Sequence, residues 1–456
     1  MLPSPLLSRP GAVAGPEGDP DSTVPAHYGD PLREQVALAD GHALSALARD
    51  VVAVTGLDRL SWLTTLSSQV LTGLAPGDGG AEALLMDAQG HITHALAALD
   101  DGQRLLLVTE AGRGEDLAGF LESMRFMLRV EVRVAEELAV LGALGGGVAR
   151  LEEAARPGHW LGTWRDPWPG VVEGGTSYDV GLEGRPHPGA GYQAGWVVVP
   201  AGDVPEVVRA WERGRGGDVT GQAAAEAVGQ SGSAGRAQGG GHVVARRVLA
   251  GSLAWEALRV EAGRPRQARE VDARTIPHEL DWLRTAVHLT KGCYPGQETV
   301  ARTLNLGRPP RRLTVLQLDG LGGELPAPGA AVHLGERAVG AVTSVARHHE
   351  LGPVALALLR RGVPVDEPLT VAVTEADQTE ADQEEADQEA GQGGRQGAGH
   401  PGSRPEEPRE VGRVAAAQEP LVSPEGRAQA SPAERPGARL RGAGTRGTDL
   451  PRRPAR

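Results

Sequence analysis

The hydrophobic pattern becomes regular only after residue 35. Residues 1–35 are rich in Pro, Gly and Ala without a sustained period, and read as a flexible arm. Residues 51–54 form a β-branched run. Leu60, Leu63 and Leu66 then recur at the spacing of one helix face. Residues 83–87 and 91–99 flank Gln89-Gly90 as a hairpin would, and 104–109 is a further strand. In 114–127 Leu117, Phe120, Leu121 and Met124 share one side of a helix, and 128–134 alternates. The segment 124–128, Met-Arg-Phe-Met-Leu, is read as packing. Strands interleaved with helices make 36–140 an α+β unit.

A second α+β part spans 141–310. Trp160, Trp164 and Trp168 are four apart, but Pro167 and Pro169 break any helix, so they are expected to pack a loop onto the core. A strand at 196–199 and a helix at 204–213 precede a Gly/Ala/Gln/Ser insertion, 214–241, read as disordered. Helices are expected at 243–260 and 277–290. From 311 to 374 five short β segments separated by Gly/Pro turns predict a small barrel. Residues 375–456 begin with a five-residue acidic repeat and continue as an Arg/Pro-rich stretch, which predicts a disordered tail.

Composition narrows the function classes. The net charge of −13 argues against a direct nucleic-acid partner. No run of about 18 apolar residues offers a membrane span, and the N-terminus has no charged segment followed by an apolar run. The expected compartment is the cytoplasm. Among 456 residues there is one cysteine, Cys293, which excludes an internal disulfide, a Cys-based zinc site or an iron–sulfur cluster held by this chain alone. No metal site is expected. There is also one lysine, Lys291, against 45 arginines, and it lies two residues from the cysteine.

The segment Lys291-Gly292-Cys293-Tyr294-Pro295-Gly296-Gln297-Glu298 is therefore the candidate site. Gly292 is expected to end the preceding helix in the left-handed conformation, and Pro295-Gly296 to form the centre of a type II turn. Lysine is a compact ammonium with an adjustable pKa, and a neighbouring cation raises a cysteine's thiolate fraction. The pair could make a reactive thiol. Alternatively, Cys293 is a small core residue and Lys291 caps helical carbonyls.

These eight residues resemble the KGCYxGQE signature of the YgfZ family of folate-binding proteins, relatives of the glycine cleavage T-protein. Residues 256–265 resemble the ExLRxExGxP segment of that superfamily, and Ile276-Pro277-His278-Glu279 its IPxE element. The match runs with gaps from about Val36 to Val373. The resemblance implies a three-part α+β cloverleaf around a folate-sized hole, ending in the small β-barrel. It further implies tetrahydrofolate or a derivative as ligand, iron–sulfur client enzymes as partners, and an indirect influence on tRNA modification. Lys291 and Cys293 carry over as the working groups.

The alternative is a folate-dependent aminomethyltransferase-like one-carbon transferase. T-proteins place an aspartate pair in the hairpin where this chain has Thr93-His94, and a neutral threonine cannot stabilise a developing cation. His91 and His94 fall on opposite strand faces, which disfavours a metal pair. Where T-proteins offer a pterin-binding glutamate, the nearest residue here is Gln193. The ancestry is thus transferase-like, without an established catalytic activity. Candidate folate contacts are Lys291, Tyr294, Gln297, Glu298, Arg259, Trp255 and Trp62, as carboxylate partners, polar groups or ring faces.

Overall fold

The computed structural model describes residues 3–156, 158–178, 186–214, 246–320, 325–374, 410–423 and 428–431. The acidic repeat and nearly all of the 214–241 insertion lie outside them.

Two five-stranded sheets and a closed barrel make up the three parts of an α+β architecture. One sheet is ordered Ala81–Met86, Ile92–Asp100, Arg104–Glu110, Arg49–Thr55, Glu131–Val134, all antiparallel, with Val52 opposite Leu107. The expected hairpin is present, and Gly90 at φ +83° turns it. The second sheet runs Gly162–Arg165, Ala194–Pro200, Leu138–Leu144, Ala43–Leu47, Val248–Ala250, the last pair parallel. Strand alternation gives each sheet one face toward a shared central core containing Leu84, Leu106, Val140 and Val198. The opposite faces are covered by helices such as Arg59–Leu66 and Val204–Arg213.

Several expectations are corrected. The N-terminal segment is packed rather than a free arm: Leu6 and Val24 are buried in the core beneath the second sheet. Asp30 caps helix Pro31–Ala39 by accepting from the Arg33 amide, and Pro31 starts it. Glu34 then ties the Tyr28 and Gly251 amides together. Isolated apolar anchors carry no period, so the sequence pattern could not mark them.

The helix expected at 243–260 is a strand, Val248–Ala250, followed by helix Ser252–Glu261. The helix expected at 277–290 is a 3-10 turn, Pro277–Leu280, followed by turns, because Asp281 takes the left-handed φ of +56°. Trp164 and Trp168 are buried as expected, although Trp164 sits in a strand. By contrast, the 124–128 segment is exposed: Phe126 at 82% and Met127 at 89%. The barrel has six strands, closed by Glu410–Pro420 from the stretch read as tail. That strand pairs with both Arg311–Leu318 and Leu369–Thr374, so its order comes from two neighbours.

Candidate functional site

Two places concentrate chemistry. The first is a cavity of about 50 Å³ where both sheets meet the segment after helix Ser252–Glu261. Trp164, Trp196, Trp255 and Trp282 form its aromatic walls, and Trp164 and Trp196 lie 4.4 Å apart between ring centroids. Four arginines line it. Arg264 bridges Glu82 at 2.6 Å and Asp166 at 2.9 Å, stacking over Trp168. Arg266 holds Glu110, Asp21 and Glu256 at 2.6–2.8 Å, and Arg49 shares Glu110 at 3.0 Å. Arg259 meets Glu256 at 2.6 Å and Glu270 at 3.2 Å, and donates to Ser344 Oγ in the barrel.

A buried charge is tolerated only when paired and hydrogen-bonded. Here burial opposes ionisation of Glu110, yet the Arg266 and Arg49 guanidiniums outweigh it and hold the carboxyl at about 2. Asp166 goes the other way: burial pushes it up to about 6, against the pull of Arg264. Several lining donors lack a partner among the described residues, namely Arg264 Nη1 and the indole N–H groups of Trp164, Trp196 and Trp282. Guanidinium and indole can only donate. The cavity thus presents aromatic faces, carboxylate acceptors and unspent donors together.

The second place is the loop 291–298. Tyr294 O accepts from the Gln297 amide at 3.3 Å, and Gly296 has φ +81°, ψ −6°, so the expected type II turn is formed and leads into helix Gln297–Leu306. A Cβ at Gly296 would lie 2.7 Å from Gly90 Cα and 2.8 Å from Asp87 O, so this turn is locked onto the hairpin turn. Gly292 is not left-handed, and no helix precedes it. Lys291 Nζ donates to the Thr64 and Ser67 carbonyls, both at 2.5 Å, at the C-terminal end of helix Arg59–Leu66. It therefore caps a helix distant in sequence. Its Nζ also sits 4.7 Å from the Tyr294 ring centroid. Burial pushes Lys291 down to about 8, with Cys293 acting weakly the other way. Cys293 is exposed.

Of the sequence-stated candidates, Trp255 and Arg259 line the central cavity. Lys291, Cys293, Tyr294, Gln297 and Glu298 belong to the loop. Gln297 Nε2 donates back to Lys291 O at 3.3 Å, and Glu298 faces solvent beside Arg302. Trp62, on the inner side of helix Arg59–Leu66, is buried in the core there and does not line the cavity. Thr93 bonds Leu85 O, and buried His94, pushed down to about 4 by burial and then Arg113, is neutral. His91 lies in the hairpin turn against Asp87.

Sequence reading missed Glu82, Asp166, Arg264, Arg266 and Glu110. The signal available was a lone acid on an otherwise apolar inward strand face: Glu82 with Leu84 and Met86, Glu110 with Leu106 and Val108. Among the described residues no cluster of His, Cys, Asp and Glu could hold a metal, and no helix is long and apolar enough to cross a membrane.

The crystal structure of glycine cleavage system aminomethyltransferase T from Bartonella henselae superposes with a TM-score of 0.59, covering 92% of this chain and 97% of that one at 18% identity. The chain has the T-protein fold. At that identity the likeness concerns fold alone. A protein of Arabidopsis thaliana named "Putative transferase At1g60990, chloroplastic" is 38% identical over 95 residues, so this chain matches about a fifth of that relative, 21% of its length. No protein-family model matches the chain.

Proposed function

We propose that this protein binds a reduced folate in the central cavity and supports iron–sulfur proteins, with Lys291 and Cys293 as the working groups. The observation that carries the binding half is the cavity lining. A pteridine has a flat face, ring N–H donors and a carbonyl acceptor; the indole walls, the Glu82 and Asp166 carboxylates and the unspent Arg264 and indole donors complement each in turn. Carboxylates for such a ring come from Glu82 and Asp166 rather than from the Gln193 region. About 50 Å³ admits only part of the ring, so binding requires side chains of the wall to move.

The iron–sulfur half rests on the loop. A lysine with its pKa near 8 and an exposed thiol two residues away suit proton or sulfur chemistry better than any arginine could. The transferase reading is disfavoured by a hairpin that carries neutral Thr93 and neutral His94. Calorimetric titration with tetrahydrofolate tests the binding half: micromolar affinity in the wild type and a loss of tenfold or more in Trp255→Ala is expected. No heat of binding at millimolar ligand would end it. Complementation of iron–sulfur enzyme activity in a deletion strain tests the other half. Turnover of an aminomethyl-lipoyl carrier would favour the transferase instead.

A further inference from the structure

Helix Gln267–Glu270 separates the central cavity from a second opening. Arg266 and Gln267 line the cavity; Arg269 and Glu270 line a cleft of about 320 Å³ between this helix and barrel strands Arg337–His348 and Gly352–Arg360. That volume is at the lower end of small-ligand pockets, about 300–1,000 Å³. Ala338, Gly340 and Ala341 give it a wall of small side chains, and three arginines, 269, 311 and 360, give it charge.

The arginines are unequally committed. Arg311 is neutralised by Asp272 at 2.6 Å and Glu279 at 2.8 Å. Glu270 is turned to Arg259, Ser344 and Thr343. Arg360 has no carboxylate partner among the described residues. Arg269 has one, Asp19, at 2.6 Å. Asp19 belongs to the loop between the buried anchors Leu6 and Val24; residues 9–20 of that loop are mostly exposed, and its own strand pairing covers only Val13 and Ala14. At 18% and 27% side-chain exposure the pair is half-buried, and Asp19 also accepts from the Asp21 amide at 2.8 Å, so it stands in the way of any other carboxylate at Arg269.

We propose that this cleft binds a ligand bearing two or more carboxylates, gripped by Arg269 and Arg360, and that Asp19 is a built-in competitor for Arg269. Asp19 on Arg269 and Asp272 on the neighbouring Arg311 show that guanidiniums of this cleft take carboxylates, and the flat fork of arginine suits them. The small-residue wall leaves room for the methylenes between carboxylates. Glu270 and Asp272 beside the arginines disfavour the denser charge of a phosphate. The assignment rests on the folate reading for its ligand class alone, since folates carry an acidic tail; it needs no passage between the openings, which helix Gln267–Glu270, with Gln267 and Glu270 buried, keeps apart.

The test uses the full chain and tri-γ-glutamate, which carries no pterin, titrated calorimetrically at low ionic strength. Asp19→Asn is expected to tighten binding about tenfold and Arg360→Ala to weaken it at least tenfold. Arg360 is exposed and Asp19 half-buried, and unchanged thermal unfolding of each variant checks the fold. Pyrophosphate is expected to bind more weakly than the peptide. Affinity unmoved by either variant, absence of binding in both wild type and Asp19→Asn, or tighter binding of pyrophosphate would each overturn the assignment. Tetrahydropterin titrated in parallel reports the central cavity alone, so the two readings fail separately.

Discussion

The central cavity and the loop 291–298 both gather charge, in opposite ways. In the cavity, arginines are shared among carboxylates out of water, Arg266 alone holding three. In the loop, a single ammonium is held by two backbone carbonyls and an aromatic face, with no carboxylate partner among the described residues. Guanidiniums stay charged at any physiological pH, so the donors of the cavity are fixed, and among its acceptors Asp166, pushed up by burial to about 6, is one that acid changes. The ammonium, lowered to about 8, can exchange its proton near neutrality. Four of the 45 arginines line the cavity, so the contrast concerns these two places and not the composition as a whole.

The most severe way to break the comparison is Arg266→Met. It leaves Asp21, Glu110 and Glu256 buried without their shared cation, and loss of one partner of a buried pair costs about 3–5 kcal/mol. Chemical denaturation at neutral pH measures it, and a loss below about 1 kcal/mol would show that the network does not organise the core.

Acid should separate the two regions. His278 is buried, bonds Val300 O of the helix that carries the loop, and is pushed by burial to about 4. Between pH 6.5 and 4 the unfolded chain binds the proton that folded His278 refuses, so this contribution, up to about 3 kcal/mol, is present above pH 6.5 and lost as pH falls. Asp166 has the opposite sign. Its raised pKa makes the folded state bind more protons between about 6 and 3.8, so acidification through that window relieves the cavity. Hydrogen exchange at pH 5 should therefore open helix Gln297–Leu306 before the strands around Glu82 and Glu110. Simultaneous opening would contradict the assignment of these two signs.

Gly296→Ala attacks the loop alone. The added Cβ meets backbone of the 87–90 turn at a left-handed φ, and about 1–3 kcal/mol of strain is expected. Thiol labelling of Cys293 should quicken as the loop lifts, with Trp fluorescence of the cavity unchanged. A matching change in both signals would mean that the two regions are one unit.

What the sequence disclosed follows from whether a feature is local. Gln89-Gly90 and Pro295-Gly296 were legible because a positive φ at glycine is demanded by the turn itself. Lys291 and Cys293 stood out as singletons. The barrel's first five strands are short apolar and β-branched runs bounded by Gly/Pro turns, a local signal. The sixth, Glu410–Pro420, is mostly exposed and is held by pairing on both edges, so nothing within it announced a strand. Leu280, Leu283 and Val287 keep helical spacing, yet the buried environment holds Asp281 left-handed and the helix does not form. The arginine network was invisible for a simpler reason. Arg266 and Asp21 are 245 residues apart, and Arg264 and Glu82 are 182 apart, so no window of sequence contains both halves.

The smallest expected effect is also the sharpest. Cys293 is exposed and makes no core contact, so Cys293→Ser should change unfolding free energy by less than about 0.5 kcal/mol. Lys291→Met is the companion: it removes the cap on Thr64 and Ser67, and with it the rise in stability expected between about pH 8 and 10.5, where the unfolded chain holds the proton that folded Lys291 has released. If Cys293→Ser folds and binds tetrahydrofolate like the wild type yet fails to restore iron–sulfur enzyme activity, the thiol acts chemically and the cavity only recognises. Full restoration would remove Cys293 from the mechanism and leave Lys291 as a structural cap, and the contrast between the two regions would then be one of architecture alone.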